Sequence, residues 1–318
     1  MWLQVRLYLL VGLLLAIVYG VMVGIASAAG AANFVVFAIV AAGFVFLQYL
    51  IGPRIVGWTM KVKYVTEQQY PELHSTIAEL ADSARIPKPR VGISNIPIPN
   101  AFAFGRTRRD ARVCVTDGLL RAMNRDELRA VLGHEISHIK HRDMMLMTVL
   151  SIVPLIIYLM AISFIFSGFG RQGQGGNPLP LIGIGLMVLY FIVNLLVLYG
   201  SRIREYYADQ GSVRLGSQPD HLATALYKLV LGSARVPKES MKRAEAVKAF
   251  FVTDPSRALY EVRDLKDIDQ DLSGTIDYGE LLALRSKAVR IKTADKIMEM
   301  MSTHPNMVKR IKHLSTLV

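Results

Sequence analysis

Apolar residues in this chain gather into four long runs, set apart by two polar stretches whose hydrophobic positions recur with helix or strand spacing. Leu7 to Ala28, Phe34 to Ile51, Met144 to Phe166 and Leu179 to Tyr199 are each nearly free of charge. Such lengths suit helices that cross a bilayer. Ala26, Ser27 and Ala28 resemble a signal-peptide cleavage site. The apolar core before them is too long for a signal peptide, however, and a second run follows at once. Gly52, Pro53 and Arg54 close the second run, and Pro154 should kink the third. The pattern therefore sets out two spans in 1–53, a polar region in 54–143, two more spans in 144–200 and a second polar region in 201–318.

Within 54–143, Thr66 is placed to cap a helix reaching about Arg85, with Leu73, Ile77 and Leu80 on one face. Pro87 and Pro89 end it, and Arg90 to Ser94 reads as a short strand. Asn100, Ala101, Phe102, Ala103, Phe104 and Gly105 lead through a basic turn (Arg106 to Asp110) into Ala111 to Thr116, which reads as a β-hairpin. A helix then begins at Asn124, which forms a capping-box pair with Glu127, and runs towards Asp143 with Leu128, Val131, Leu132 and Ile136 as its apolar face.

Composition agrees with a membrane protein: 52% of the 318 residues are hydrophobic and only 19% are charged. The formal charge of +12 comes with no nucleic-acid motif, so nucleic acid is not an expected partner. Its Lys and Arg residues sit overwhelmingly at 54–142 and after 202, whereas the loops at 30–33 and 168–178 hold a single one, Arg171. By the positive-inside rule both polar regions and the N-terminus face the cytoplasm. The single cysteine, Cys114, excludes an intrachain disulfide and a multi-cysteine zinc site, and reads as a buried strand residue in a reducing compartment.

His134, Glu135 and His138 form the His-Glu-x-x-His pattern. On a helix, positions i and i+4 share a face, so the two imidazoles can bind one zinc ion while Glu135 stands beside it as a proton acceptor for water. Two solvated histidines on a surface helix remain the bland reading of the pentapeptide. Directly after the fourth run, Glu205 and Asp209 repeat the i, i+4 spacing, and the small Ala208 would let their helix come close. Glu205 as third ligand and Asp209 as acceptor for a ligand histidine's other N–H would complete a site. Spacing alone leaves a surface helix with two solvated acids equally open.

Taken together, the paired N-terminal spans, residues 100–105, 134–138 and 205–209, Ser302 to Pro305 and the pair Arg310 and Ile311 resemble the HtpX group of membrane zinc metallopeptidases, relatives of the CAAX prenyl proteases. The resemblance covers nearly the whole chain. It implies a mainly α, multi-pass membrane protein: four transmembrane helices and a cytoplasmic, zincin-like α+β metallopeptidase domain with a short β-hairpin or sheet. It implies one zinc held by His134, His138 and Glu205, with Glu135 catalytic and Asp209 supporting. Asn100, Ala101, Phe102, Ala103 and Phe104 would be an edge strand holding substrate backbone, and His304 would steady the oxyanion. Arg310 carries the least expectation, because an arginine in a C-terminal helix is usually solvated. Misfolded or damaged membrane proteins are the implied substrates, in quality control. A narrower processing peptidase of CAAX type is the alternative within this class. Outside it stands a calcium-responsive membrane scaffold without proteolysis.

One stretch lies outside that resemblance. Residues 269–280 fit the twelve-position EF-hand loop, with Asp269, Asp271, Ser273, Thr275, Asp277 and Glu280 as oxygen donors, Gly274 at the sixth position and Ile276 at the eighth. Ala258 to Ile268 and Tyr278 to Val289 read as its flanking helices, making 256–292 a helix–loop–helix that would bind calcium. The other reading is a hand that has lost its calcium affinity. EF-hands usually work in pairs and only one is present, so a partner loop would have to come from a second copy in a homo-oligomer.

Overall fold

The computed structural model describes residues 31–167, 178–235, 251–252, 258–287 and 293–318. The first apolar run, most of the 168–178 loop and the last residues of the helix expected over Tyr278 to Val289 lie outside these. In chain order the elements begin with helix α1 (Ala31–Thr59), strand β1 (Val62–Tyr64), α2 (Pro71–Ala84), β2 (Arg90–Ser94), β3 (Ala101–Phe104) and β4 (Arg112–Thr116). Next come α3 (Asp117–Ala122), α4 (Arg125–His141), α5 (Asp143–Leu150), α6 (Ile152–Ser167) and α7 (Leu179–Arg214). The series ends with α8 (Pro219–Ala234), α9 (Ala258–Leu265), α10 (Tyr278–Ser286), α11 (Thr293–Met300) and α12 (Met307–Leu314). The described residues are thus mostly helical with one small mixed sheet. It forms two units, one of residues up to Ile51 with Met145–Ile203, the other of Gly52–Met144 with Arg204–Val318.

In the first unit, Leu150, Ile157, Met160 and Phe164 pack with Leu186, Val193 and Val197. Gly183 permits the contact, since a Cβ there would lie 2.8 Å from the Ile165 nitrogen and 2.9 Å from the Ala161 oxygen. Phe166, Leu181, Ile184, Val188 and Phe191 remain exposed, as apolar side chains do where lipid is the solvent. Two helical stretches, Asp143–Phe166 and Leu179–Arg214, are long and apolar enough to cross a membrane. The third run breaks at Ser151 between α5 and α6. Pro154 explains the break, because it has no N–H for the Leu150 carbonyl and its ring crowds that group. The second run does not stop at Gly52 and Pro53, as the sequence suggested. α1 continues through Pro53 to Thr59, since an internal proline costs a helix one hydrogen bond without forcing its end.

In the second unit the strand order is β1-β2-β4-β3, with β2 and β4 parallel and both outer strands antiparallel to their neighbours. The β3–β4 hairpin pairs Ala101 with Val115 and Phe104 with Arg112, which leaves β3 as an edge. Thr66 does not cap α2. That helix starts at Pro71, and the Thr66 carbonyl instead accepts the N–H groups of Gln69 and Tyr70 in a turn. A residue before proline is pushed out of the helical region while proline suits the first helical position, so Tyr70 fixes the boundary. The Asn124–Glu127 capping box forms as the sequence indicated. α4 does not run unbroken into the third span, because Arg142 adopts a left-handed conformation (φ 58°) and separates it from α5. α2, α4, α8, α9, α10 and α12 share one core around Ile77, Leu132, Ile136, Leu226, Leu265, Leu281 and Ile311.

Candidate metal centre

α4 and the polar end of α7 build the centre. The two helices meet almost backbone to backbone. A Cβ on Gly133 would stand 2.9 Å from Ser212 Oγ, and one on Gly211 would overlap Ser137 Oγ. Ser212 Oγ donates to the Ala130 carbonyl at 2.6 Å and pins the crossing. Ala208 is fully buried, but the tightest approach lies one turn further on, at Gly211.

This crossing brings the Nε2 atoms of His134 and His138 to 3.1 Å from each other. Glu205 closes the triangle, with Oε2 3.6 Å from His134 Nε2 and Oε1 3.5 Å from His138 Nε2. Ligand atoms in a tetrahedral zinc shell with bonds of about 2.0–2.1 Å stand about 3.3 Å apart, so two nitrogens and one carboxylate at these separations fit the ion. One donor atom from each of the three residues lies within 4.8 Å of the others. Glu135 is buried on the same helix beside them.

Each histidine is also held from behind. His134 Nδ1 lies 2.9 Å from Asp209 Oδ1, and His138 Nδ1 lies 2.7 Å from Asp143 Oδ2. An N–H donated to a carboxylate fixes the ring and leaves Nε2 free to ligate. Each carboxylate is in turn gripped by an arginine. Arg310 donates Nε and Nη2 to Asp209 at 3.0 and 2.7 Å, and Arg204 forms a buried ion pair with Asp143. Arg310 Nη1 also reaches Glu205 Oε2 at 3.1 Å and the Val252 carbonyl at 3.0 Å. The expectation of a solvated Arg310 is therefore corrected: the side chain has no exposure at all. The cost of burying the guanidinium is met by two carboxylates in fork geometry.

The charge state follows from this packing. Burial raises the carboxyls of Glu205 and Asp209, but the nearby His304, Arg310 and His134 hold Glu205 well below the usual carboxylate range. Arg310 and His134 likewise hold Asp209 down. Burial pushes both imidazoles towards the neutral form. At His134 the Asp209 and Glu205 carboxylates overcome it and raise the ring to about 9, whereas at His138 burial and the neighbouring His134 lower it to about 4.

His304 is buried, with Nδ1 3.4 Å from Glu205 Oε2, so the structure brings it to the centre. Of the edge-strand residues, Asn100 is buried and its Oδ1 accepts the Val252 N–H at 2.9 Å, so this amide organises the segment that Arg310 also holds. Phe102 and Phe104 stack at 5.8 Å and are buried with Cys114 and Phe251, while Ala101 faces the main core. Burial pushes the Cys114 thiol up, so it stays protonated. Sequence alone gives little notice of Asp143 and Arg204. Their signals were an acid five residues after His138 and a cation directly before Glu205. At the other candidate site, carboxylate oxygens of Asp269, Asp271 and Glu280 lie within 4.8 Å of one another. Ser273 Oγ and Thr275 Oγ1 are 2.8 Å apart, and Asp277 Oδ1 caps α10 by accepting the Glu280 N–H at 2.8 Å.

Comparison with known proteins adds three findings. The model for "Peptidase family M48" matches residues 67–318. A "Protease HtpX homolog" of Methanothermobacter thermautotrophicus is 52% identical over 229 residues, covering 72% of this chain and 86% of that protein. A protein of the same description from Moorella thermoacetica is 34% identical over 275 residues, 85% of this chain and 80% of its own length. Among solved structures, the crystal structure of S. mikatae Ste24p matches with a TM-score of 0.46 and 17% identity, covering 92% of this chain and 64% of that one.

Proposed function

The chain belongs to peptidase family M48 and is a metallopeptidase; from that premise we propose a zinc endopeptidase that works at a membrane, on misfolded or damaged membrane proteins, as quality control. The observation that carries the reading is the triangle of His134 Nε2, His138 Nε2 and Glu205 oxygens, 3.1 to 3.6 Å on a side, with Glu135 next to it. Zinc bound there supplies a Lewis acid that polarises a peptide carbonyl and makes water acidic enough to be deprotonated near neutral pH. Glu135 takes the proton from the attacking water and passes it to the nitrogen of the leaving amine. His134, His138 and Glu205 hold the ion, Asp209 and Asp143 orient the two rings, and Arg310 fixes Asp209 and Glu205 together. His304, beside Glu205, faces the charge that develops on the substrate carbonyl. Among the described residues the outer edge of β3 has no partner strand, and an extended substrate would add there as a further strand.

Four spans are proposed, and the distribution of Lys and Arg supports placing the centre on the cytoplasmic side. Metal content and proteolysis, measured together on the full-length protein in detergent, test the reading. Glu135→Gln should keep its zinc and lose cleavage, whereas His134→Ala, His138→Ala and Glu205→Ala should each lose zinc. Cleavage at the wild-type rate by Glu135→Gln overturns the assignment.

A further inference from the structure

Residues 269–280 play no part in the peptidase centre, yet they are built in detail. The loop joins α9 to α10, and its sixth position, Gly274, takes φ +81°, a conformation open to glycine at little cost. Carboxylate oxygens from the first, third and twelfth positions (Asp269, Asp271 and Glu280) converge to within 4.8 Å. Amides of the loop bind Asp269 from both sides: Ser273 N–H donates to Oδ1 and Gly274 N–H to Oδ2, each at 3.0 Å.

Charge gives an independent reason to expect a cation. Asp269 is 2% exposed, and burying a carboxylate without a counter-charge is costly. Two other buried acids are answered by basic side chains, Glu127 by Lys228 at 2.8 Å and Asp209 by Arg310 at 2.7 Å. Among the described residues, no Lys or Arg reaches ion-pair distance of Asp269, Asp271, Asp277 or Glu280, although the chain carries 37 basic residues against 25 acidic.

The loop is also held from outside, by α8. Ile276, at the eighth position, is fully buried. Its N–H donates to Thr224 Oγ1 at 2.9 Å, and its carbonyl accepts from the same hydroxyl at 2.9 Å. Tyr227, nearly one turn along α8, lies near enough to Asp269 for that carboxylate, together with burial, to raise its phenol. A single hand normally lacks support for the back of its loop; here a helix of the same chain supplies it, and no second copy is required.

We propose that residues 269–280 form a calcium site whose occupancy stiffens α12, the helix that carries Arg310. Asp269, Asp271, Ser273 Oγ, the Thr275 carbonyl and both Glu280 oxygens are the donors, with Asp277 acting through its free oxygen or a water. An all-oxygen shell of six to eight donors on a pliable loop suits calcium; magnesium demands a tighter octahedron, and zinc favours nitrogen and sulfur. The link to α12 is direct. Lys312 Nζ donates to the carbonyls of Leu284, Arg285 and Lys287 at 2.6, 2.7 and 2.9 Å, capping the end of α10 two residues beyond Arg310.

Terbium luminescence tests the site in zinc-loaded full-length protein, because Tyr227 beside Asp269 can sensitise the ion. The expected result is tyrosine-sensitised emission that calcium displaces, with half-saturation between about 10 μM and 1 mM calcium, while magnesium at the same concentrations does not. Glu280→Gln, which can keep its capping contact, and Asp271→Asn at an exposed position should each abolish the emission while leaving helix content and zinc content unchanged. Failure of the wild type to bind, emission that survives both substitutions, or equal displacement by magnesium overturns the site. Hydrogen exchange then reads the link: calcium should slow amide exchange across Met307–Leu314 in wild type and not in Asp271→Asn. Calcium binding with unchanged exchange there overturns the coupling.

Discussion

Arg310 and Asp209 are both fully buried, 2.7 Å apart, and neither is affordable alone. Removing one partner of such a pair costs about 3–5 kcal/mol, because the other is left as a bare charge. Arg310→Met should therefore lower the thermal midpoint clearly, and by freeing Asp209 should weaken metal binding by about 10- to 100-fold. Arg310→Lys keeps the charge but not the two-pronged fork, so it should restore stability more than metal affinity. Chelator competition alongside thermal melts separates the two; a Lys variant equal to wild type in both would remove the role given to the fork. A second residue-scale test uses pH. Burial raises the Asp110 carboxyl, but its bonds to Arg106 (2.8 Å) and Arg112 (3.0 Å) outweigh that and hold it at about 2. A carboxyl depressed in the folded state adds stability above its unfolded value near 3.9, and that stability is lost as pH falls towards 2. Asp110→Asn should accordingly be less stable than wild type at pH 7, with the gap closing between about pH 4 and pH 2 in denaturant melts. A gap that stays constant across this window would mean that the carboxylate charge is not what matters.

At the scale of elements, the crossing of α4 and α7 decides whether Glu205 meets the two histidines. Gly211 carries that crossing, since any Cβ there runs into Ser137. Gly211→Ala should leave helix content unchanged yet displace Glu205 from the Nε2 pair and lower zinc retention, and Ser137→Gly should partly restore it in the double variant. Unchanged zinc affinity in Gly211→Ala would show that the helices can part without loss of the site. The crossing also illustrates which features sequence could convey. Local rules identified α4, through the Asn124 and Glu127 capping box, and the break in the third run, through Pro154, because both depend on residues within a turn or so. β1 has three residues and no period to read. α8 does leave a signal, with Pro219 at its first position and Leu222, Leu226 and Leu229 on one side. Asp143 and Arg204 were invisible as a pair because 61 positions separate them and only the fold brings them to His138. Arg310 is hidden for the same reason: nothing local to α12 says that two carboxylates from α7 await it.

For the whole molecule, the remaining issue is which face of a membrane carries the chemistry. Leu181, Ile184, Val188 and Phe191 stand exposed along α7, and Phe166 at the end of α6. Lipid satisfies such a surface and water does not. The orientation then rests on charge, with one Lys or Arg in the two short loops against dozens in the polar regions. Cysteine labelling in intact cells tests this cleanly, because Cys114 is buried and burial keeps its thiol protonated, so the native background is silent. A cysteine at Ser167, where α6 ends, should react with an impermeant thiol reagent added from outside. One at Ser83 on α2 or Ser286 on α10 should react only after the cells are opened. Ser286 is exposed and lies six residues beyond Glu280, so its protection in intact cells would put residues 269–280 on the inner side as well. Labelling of Ser83 from outside would put the peptidase centre on the opposite face and its substrates with it.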